Sequence, residues 1–302
     1  SGAAGEGRRE ARIGEARRAE PPPEVMSGPE SPWLDKEPWG LAPWLMARLK
    51  ATAREVAHDW GLELGPRIEA ARYSYVAPAG DAILKVVPAE DDMVATQAEA
   101  LRLWNGDGAV RLLREDPIRH AMLLERARPG NDASTVDAAT ALRAAVAVGV
   151  HIWRPVKRHA VFPWVGDRVP HWLDEAGDHE LVRHARERFR GLALPNEDVL
   201  LHGDFHHHNL IRRGDEWVAI DPQPISGERE FDVPTLFWNP IGGRMPTRES
   251  IERTIAEFAV IGLDAERMRA WGMIRGAFQG FPMAPGQRED DHPQRVTARL
   301  LL

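Results

Sequence analysis

The 302-residue sequence contains no cysteine, which excludes disulfides and thiolate metal sites and fits a cytoplasmic location. It also lacks any apolar run near the ~20 residues that a membrane-spanning helix requires. The longest candidate, residues 138–153, is interrupted by Arg143. Acidic residues outnumber basic ones and give a net charge of −7, whereas proteins that bind nucleic acid usually present a basic face. We therefore expect neither a membrane nor a nucleic acid as a partner.

The composition, 43% hydrophobic and 28% charged, is that of a globular protein, and the length suffices for one or two domains. Residues 1–30 differ from the rest, because charges alternate there around a triple proline with no apolar core. We expect a disordered leader or an added segment in this region, with Met26 as a natural start.

The first part of the remaining chain alternates helix and strand patterns. A helical pattern begins at Leu41 and ends at Gly61. The runs "YSYVA" and "AILKVV", separated by Pro-Ala-Gly-Asp, predict a β-hairpin. The stretch "DDMVATQAEALRLWNGDG" predicts a helix capped by Asp91 or Asp92, and "AVRLL" and "HAMLLE" predict two more strands.

The second part is richer in helix. Amphipathic patterns predict four helices, in "ASTVDAATALRAAVAVGVHIW", "HELVRHARERFRGLAL", "PTRESIERTIAEFAVIGL" and "DAERMRAWGMIRGAFQGF". Between the second and third of these, residues 200–228 read as strand, loop and strand. The pattern changes from rich in strands to rich in helices near residues 125–130, which predicts a first region of residues 31–127 and a second of residues 128–302.

The loop within residues 200–228 contains four histidines in seven positions: His202, His206, His207 and His208. The spacing of His202 and His206 suits two zinc ligands on a helix, but the glycine at position 203 and the strand that follows argue against a helix. The last three histidines are expected to be partly exposed loop residues, and a zinc site, as in a histidine-metal hydrolase, is the alternative.

The same loop has the spacing required for phosphoryl transfer. Asp204 follows His202-Gly203, Asn209 comes five residues later, and Asp221 ends the apolar strand "WVAI". In a kinase, one aspartate accepts the hydrogen bond of the attacking hydroxyl, while an asparagine and a second aspartate hold Mg²⁺. Hard oxygen ligands suit Mg²⁺, whereas imidazoles do not.

A lysine in the first part would supply the cation for the phosphates. Lys85 lies within "AILKVV", which is similar to the kinase motif V-A-I-K. A carboxylate must orient such a lysine, and we predict Glu99 of the next helix for this role rather than Glu90, Asp91 or Asp92 at the start of that helix. The alternative for Glu99 is a solvated helix acid.

Five stretches together resemble the aminoglycoside phosphotransferase superfamily, in particular its branch of streptomycin 6-phosphotransferases and hydroxyurea-resistance kinases. They are "HGDFHHHNLI", "AIDPQPISGEREFDV", "FWNP", "LRLWNGDGAVRLL" and "MLLERARPG", and the resemblance extends over about Pro66 to Pro240. It implies an α+β, two-lobed protein-kinase-like fold. Residues 31–127 would form a small β-rich N-lobe that binds nucleotide, and residues 128–302 a larger helical C-lobe with the catalytic loop and substrate site.

The resemblance also implies a role for each motif residue, with ATP and Mg²⁺ as cofactors. Asp204 is expected to be the catalytic base, Asn209 and Asp221 the Mg²⁺ ligands, and Lys85 with Glu99 the phosphate clamp. Ser74 and nearby amides would cover the phosphates, because "YSYVAPAG" has only Gly80 in place of a glycine-rich loop. The adenine would meet the backbone of the hinge at Glu125, Arg126 and Ala127.

The expected acceptor is a hydroxyl of a small molecule. Acidic residues beyond the catalytic loop, Glu228, Glu230 and Asp232, suggest a cationic acceptor such as streptomycin, although Asp232 could instead cap a helix. Gln223 stands where the family more often has lysine. A sugar or amino alcohol acceptor and a non-catalytic nucleotide-binding protein are the alternatives, and we expect a monomer or weak dimer.

Overall fold

The computed structural model describes residues 34–35, 40–89, 94–239, 241–281, 288 and 292–302. The predicted leader, residues 1–30, and the predicted helix caps Asp91 and Asp92 lie outside these ranges. Within the described residues, no helix is both long enough and apolar enough to cross a membrane. Two short strands, β1 (Leu34–Asp35) and β2 (Gly40–Leu41), pair antiparallel just before the first long helix.

The first long helix, α1 (Pro43–Trp60), matches its prediction closely. Pro43 occupies the first turn, where its missing N–H costs no hydrogen bond. Gly61 ends the helix in the left-handed conformation, with φ of 66°. The buried side chains of α1 pack against Leu84 and Val86 of the neighbouring sheet; they are Leu45, Leu49, Ala53, Val56 and Ala57.

A four-stranded antiparallel sheet forms the centre of the N-lobe, the name used here for this sheet with α1 and α2. Its strands are β3 (Tyr75–Ala79), β4 (Ala82–Val86), β5 (Leu112–Asp116) and β6 (Ala121–Glu125), in the order β3-β4-β6-β5. Helix α2 (Val94–Trp104) connects β4 to β5. The predicted hairpin is therefore confirmed, and β5 begins three residues after the start predicted for it.

The segment before β3 adds an irregular edge to this sheet. Gly65 donates its N–H to the carbonyl of Pro78 at 2.7 Å, and Ile68 donates to Val76 at 2.8 Å. Residues 69–74 consequently form the turn into β3. Because Val76 pairs with Lys85, this turn lies at the Lys85 end of the hairpin.

The C-lobe, the name used here for all elements from β7 onward, begins directly after the hinge. Its strands are β7 (Pro129–Asp132), β8 (Pro155–Val156), β9 (Asp198–Leu201), β10 (Leu210–Arg213), β11 (Glu216–Ala219) and β12 (Ile225–Gly227). Its helices are α3 (Ala138–Ile152), α4 (Val165–Glu175), α5 (Glu180–Arg190), α6 (Arg248–Ala259), α7 (Ala265–Gly280) and α8 (Pro293–Leu300).

Two small antiparallel sheets of the C-lobe flank the histidine-rich loop. One has the order β12-β9-β8 and the other the order β11-β10-β7. The loop leaves β9 at Leu201 and enters β10 at Leu210, so it passes from one sheet to the other. The sequence pattern predicted a strand on each side of this loop, but not that the two strands belong to different sheets.

The four predicted C-lobe helices are all present, but the sequence pattern missed α4, α8, the strand β7 and the two shorter strands, β8 and β12. Helix α4 contains Pro170, a residue that normally ends a helical pattern. The two strands have only two and three residues, which is too short for an alternating pattern to appear.

The end of α2 is fixed to the C-lobe. Trp104 is fully buried, and its indole N–H donates to the carbonyl of Ile152 at 2.8 Å. In the loop after α2, the carbonyl of Gly108 accepts the N–H of Ala219 of β11 at 2.8 Å, and Val110 donates its N–H to the carbonyl of Ala219 at 3.1 Å. As a result, buried residues of α2 belong to the large C-lobe core. The boundary expected at residue 127 stays a prediction.

Candidate active site

Gly203, just after β9, sets the shape of the histidine-rich loop. Its φ of 82° lies in the left-handed region that favours glycine. A Cβ atom at this position would lie 1.9 Å from the carbonyl oxygen of Gln223, which no side chain tolerates. Gln223 in turn donates its N–H to the carbonyl of His202 at 2.7 Å. The loop can therefore approach the segment after β11 only because residue 203 is glycine.

His202 is fully buried and orients this loop from inside. Its ring stacks on Trp104, with the ring centroids 6.4 Å apart. Its Nε2 lies 2.9 Å from the carbonyl oxygen of Ile220, so Nε2 carries the proton. The unprotonated Nδ1 accepts the N–H of Asp204 at 3.3 Å. Burial lowers the pKa of His202, and the ring is therefore neutral.

Asp204 is surrounded by polar side chains at the start of the loop. Its Oδ2 is 3.2 Å from Asn209 Nδ2 and 3.3 Å from His206 Nε2. Burial alone would raise the pKa of Asp204, but the hydrogen bond from His206 and the charges of His206 and Arg275 outweigh burial and lower the pKa to about 2. Asp204 is therefore ionised at neutral pH and can accept a hydrogen bond from a hydroxyl group.

Asp221 and Lys85 meet opposite this loop. Asp221 has φ of 56°, an uncommon value for a residue other than glycine, and comes just after β11. The buried Lys85 ammonium forms an ion pair with Asp221 Oδ1 and donates to Gln97 Oε1 at 2.7 Å. The Asp221 side chain is 55% exposed, so its second oxygen is open to a ligand.

The predicted pair of Lys85 and Glu99 is not formed, and Gln97 takes that place. Successive helix residues are rotated by about 100°, so side chains two positions apart point to nearly opposite sides. Glu99 faces outward and accepts from Arg102 at 3.2 Å. Gln97 accepts from Lys85 and donates its Nε2 to the carbonyl of Pro222 at 2.7 Å. A search for a carboxylate could not find Gln97, because its side chain is an amide.

The acidic residues predicted to attract a cationic acceptor are instead buried inside the C-lobe. Asp232 is fully buried and accepts the N–H groups of His202 and Gly203, both at 2.8 Å, and Trp153 Nε1 at 2.9 Å. Its side chain therefore holds the histidine-rich loop, and among the described residues it makes no cap hydrogen bond to the short helix that follows. Glu230 is buried and accepts the N–H of Asp264 at 3.0 Å.

Glu228, the third of these acids, is buried as well, and its carboxylate binds Arg267 and the indole N–H of Trp271. All three carboxylates thus satisfy groups inside the C-lobe. A residue's charge suggested exposure to solvent, but tertiary partners keep these acids in the interior.

The predicted nucleotide residues lie at both ends of the β3–β4 hairpin. Ser74 is buried at the Lys85 end, in the turn of residues 69–74. Gly80 forms the turn at the opposite end, where its carbonyl accepts from Arg126 Nη1 at 2.9 Å. Gly80 therefore lies beside the hinge, at the end of the hairpin away from Lys85.

The side chain of Glu125 ties the hinge to the segment before β5 and to β10. Glu125 Oε2 accepts from the N–H of Arg111 and from Arg213 Nη1, both at 3.1 Å. The neighbouring Ala127 is buried. These contacts leave the hinge backbone beside the start of β4, because Glu125 pairs with Ala82.

The remaining histidines each have separate surroundings. His206 accepts the N–H of His208 on Nδ1 at 3.3 Å, which turns its Nε2–H toward Asp204. His207 is buried, and burial lowers its pKa to about 4. His208 is exposed and contacts Asp132 at 3.0 Å. Among the described residues, no three His, Cys, Asp or Glu side chains are grouped to hold a metal ion, which does not support the zinc alternative.

Comparison with known proteins identifies the family. The family described as aminoglycoside/hydroxyurea antibiotic resistance kinase matches residues 70–283. The chain belongs to this family. The match continues well beyond Pro240, where the sequence motifs end, and includes α6 and α7.

Among its relatives, a streptomycin 3''-kinase of Klebsiella pneumoniae is 31% identical over 224 residues, covering 66% of this chain and 79% of that protein. A hydroxyurea phosphotransferase of Kitasatospora aureofaciens is 30% identical over 246 residues, covering 75% of this chain and 71% of that protein. A streptomycin 6-kinase of Streptomyces glaucescens is 28% identical over 247 residues, covering 75% and 80%. The predicted branch of the superfamily is thereby confirmed, and the protein is a small-molecule kinase.

Solved structures confirm the fold. A choline/ethanolamine kinase family protein of Mesorhizobium loti superposes with a TM-score of 0.60 at 14% identity, covering 85% of this chain and 92% of that one. An aminoglycoside phosphotransferase of Streptomyces rimosus, solved with ADP and streptomycin, superposes with a TM-score of 0.50 at 20% identity, covering 74% and 96%. The protein has the predicted α+β, two-lobed protein-kinase-like fold, and as a kinase of this family it uses a nucleotide.

Proposed function

We propose that this kinase transfers the γ-phosphate of ATP, bound with Mg²⁺, to a hydroxyl group of streptomycin. The names of two relatives, the streptomycin 3''-kinase and the streptomycin 6-kinase, support this acceptor. The acidic residues once expected to attract a cationic acceptor give no support, because they are buried and bonded internally. The proposal therefore rests on the relatives for the acceptor and on the site for the chemistry.

The observation that carries the chemistry is the convergence of four residues from three stretches of chain: Lys85 in β4, Asp204 and Asn209 in the histidine-rich loop, and Asp221 after β11. Lys85 pairs with Asp221, and Asn209 donates to Asp204. The segments of the two aspartates are joined by the hydrogen bond from the N–H of Ile220 to the carbonyl of Asn209, at 2.9 Å. Phosphoryl transfer requires this arrangement, in which two oxygen ligands for a metal lie between a base and a cation that binds phosphate.

Asn209 and Asp221 fit a Mg²⁺ ion. The Nδ2 group of Asn209 is committed to Asp204, and within the described residues its Oδ1 forms no hydrogen bond. Asp221 offers a half-exposed carboxylate with one oxygen bound by Lys85. Both groups supply the hard oxygen donors that Mg²⁺ prefers. When bound, Mg²⁺ neutralises charge on the β- and γ-phosphates.

The other residues bind and orient the reactants. Lys85, held by Gln97, would bind phosphate oxygens, and the turn of residues 69–74, including Ser74, would cover them. The hinge backbone at residues 125–127 would meet the adenine. Asp204 would accept the hydrogen bond of the acceptor hydroxyl, and then its proton as the phosphate is transferred. Catalysis of this kind depends on position and charge rather than on a covalent intermediate.

A screen for ATP consumption tests the proposal. Purified protein would be assayed with streptomycin, hydroxyurea, a sugar and an amino alcohol, with Asp204→Asn as the negative control. Phosphorylated streptomycin in the parent but not in the variant is the expected result. If hydroxyurea alone is phosphorylated, the acceptor is hydroxyurea and not streptomycin. Nucleotide binding without any transfer would indicate a non-catalytic binding protein. The cytoplasmic location and the monomeric or weakly dimeric state stay predictions.

A further inference from the structure

A buried arginine behind the catalytic loop has no role in the chemistry proposed above. Arg275 lies in α7, 72 residues after Gly203, and only 2% of its surface is exposed. Burying a guanidinium is unfavourable unless its donors are satisfied. Burial lowers the pKa of Arg275 to about 10, so it remains a cation at neutral pH. Such a buried charge must be stabilised by the groups that surround it.

Arg275 binds backbone carbonyls and aromatic rings. Its Nη1 donates to Phe231 at 2.7 Å and its Nη2 donates to Gly203 at 2.8 Å. The guanidinium carbon lies 4.3 Å from the centre of the Phe231 ring. Within the described residues, no carboxylate forms a direct ion pair with it, and its Nε has no hydrogen-bond partner. One of its two strong hydrogen bonds is thus made to the residue just before Asp204.

The peptide group between Gly203 and Asp204 is consequently held at both ends. Arg275 binds its oxygen, and His202 Nδ1 accepts its N–H at 3.3 Å. The preceding peptide is held as well, because Asp232 accepts the N–H of Gly203 at 2.8 Å. A peptide plane fixed in this way fixes the positions of the Asp204 nitrogen and Cα, from which its side chain leaves the backbone.

We infer that Arg275 is a positioning residue for phosphoryl transfer, which fixes the Gly203–Asp204 peptide and thereby aims the Asp204 carboxylate at the acceptor hydroxyl. This inference rests on the proposed role of Asp204 as the base. Arginine suits the task because its planar fork reaches the carbonyls of Gly203 and Phe231 together, whereas lysine is a point charge on a flexible stem. We expect nucleotide binding to be independent of Arg275, because its hydrogen bonds go to Phe231 and Gly203 and not to Lys85 or Asp221.

The test compares Arg275→Met and Arg275→Lys with a matched control, Arg295→Met. Methionine keeps the apolar stem and removes the donors, and lysine keeps the charge. Arg295, in α8, is equally buried, binds the carbonyl of Gly280 and lies 4.8 Å from the centre of the Phe281 ring. Its replacement removes a buried guanidinium from the same lobe without touching the catalytic loop.

For Arg275→Met we expect kcat for streptomycin phosphorylation to fall ~10²-fold with KM for ATP nearly unchanged, because a misplaced base costs rate rather than affinity. Arg275→Lys should lie between this variant and the parent. Arg295→Met should keep the parent kcat. Equal losses in Arg275→Met and Arg295→Met, or a parent-like kcat in folded Arg275→Met, would overturn the inference.

Amide hydrogen exchange of the ADP-bound protein provides a measurement that needs no acceptor. We expect the N–H of Asp204 to exchange ~10-fold faster in either Arg275 variant and no faster in Arg295→Met. Arg275→Lys retains the charge and serves if the methionine variant fails to fold. Unchanged exchange in the folded lysine variant contradicts the positioning role. If exchange changes as expected but Asp204→Asn still transfers phosphate, the role of Asp204 fails while the contact between Arg275 and the loop stands.

Discussion

Lys85 and Asp221 are 136 residues apart in the sequence, yet their side chains form an ion pair between the N-lobe and the C-lobe. The ammonium group is buried, whereas more than half of the carboxylate is exposed. The pair therefore presents an open acidic group beside a fixed cation, which is the surface that a metal–triphosphate complex requires.

Replacing Asp221 by asparagine should weaken binding of ATP mainly when Mg²⁺ is present, because the neutral amide is a poorer ligand for a hard cation. We expect the Mg²⁺-dependent gain in affinity to fall by about 1.4 kcal/mol or more, which is tenfold. Calorimetric titration with Mg²⁺ and with EDTA measures this gain. Asp215→Asn, on the exposed turn between β10 and β11, is the control. If Asp221→Asn keeps the full gain, Asp221 is not a metal ligand.

Replacing Asp204 by asparagine should leave ATP binding intact and reduce transfer. The amide cannot accept the proton of the acceptor hydroxyl, and loss of a general base typically lowers the rate ~10²–10⁴-fold. Initial rates at saturating ATP and a parallel binding titration separate the two effects. Turnover close to that of the parent would remove Asp204 from the role of base.

Gln97 and Glu99 provide a matched pair on one helix. Gln97→Leu removes the acceptor for the buried Lys85 ammonium and the donor to Pro222. Hydrogen bonds to charged groups contribute about 1.5–3 kcal/mol, so we expect KM for ATP to rise by at least about tenfold. Glu99→Gln changes only an outward contact with Arg102 and should leave KM unchanged. The reverse ranking of the two variants would favour the original prediction for Glu99.

Acid should destabilise the protein through His207. Burial lowers its pKa from 6.5 to about 4 in the folded state, so the unfolded chain takes up a proton first as the pH falls. The stability associated with neutral His207 is complete above pH 6.5 and is lost as the pH falls toward 4. This loss corresponds to about 2 kcal/mol between pH 7 and pH 5.

Denaturant unfolding in EDTA at pH 7 and pH 5 measures this effect. His207→Gln should lose less stability across that interval than the parent, because glutamine does not titrate. His184→Gln, on the exposed side of α5, is the control and should follow the parent. A parent-like loss in His207→Gln assigns the acid sensitivity to other groups.

The residues that could be predicted from the sequence are those fixed by local spacing. Asp204 and Asn209 share the loop that leads into β10, and Asp221 follows β11, which pairs with β10. Their proximity therefore follows from a short stretch of chain. The hairpin placed Lys85 for a similar reason. Spacing of this kind needs no knowledge of how distant parts of the chain pack.

The errors concern side chains whose surroundings depend on distant segments. The prediction of Glu99 considers only carboxylates, whereas the orientation of α2 against β4 decides that the amide of Gln97 meets Lys85. The sequence suggests that Asp232 faces a cationic acceptor or caps a helix, but Trp153, which follows α3 and is 79 residues away, donates a hydrogen bond to its buried carboxylate. Arg275 gave no signal at all, because its contacts lie 72 and 44 residues earlier in the sequence.

The attachment of Trp104 and residues 108–110 to the C-lobe also limits how the two lobes can move apart. The lobes are joined there, through the hinge after Glu125, and through the ion pair of Lys85 with Asp221. Separating the lobes at Lys85 breaks the ion pair but can leave the hinge and the buried Trp104 contact in place. We therefore expect any separation to be greatest at the end of the hairpin that carries the turn of residues 69–74.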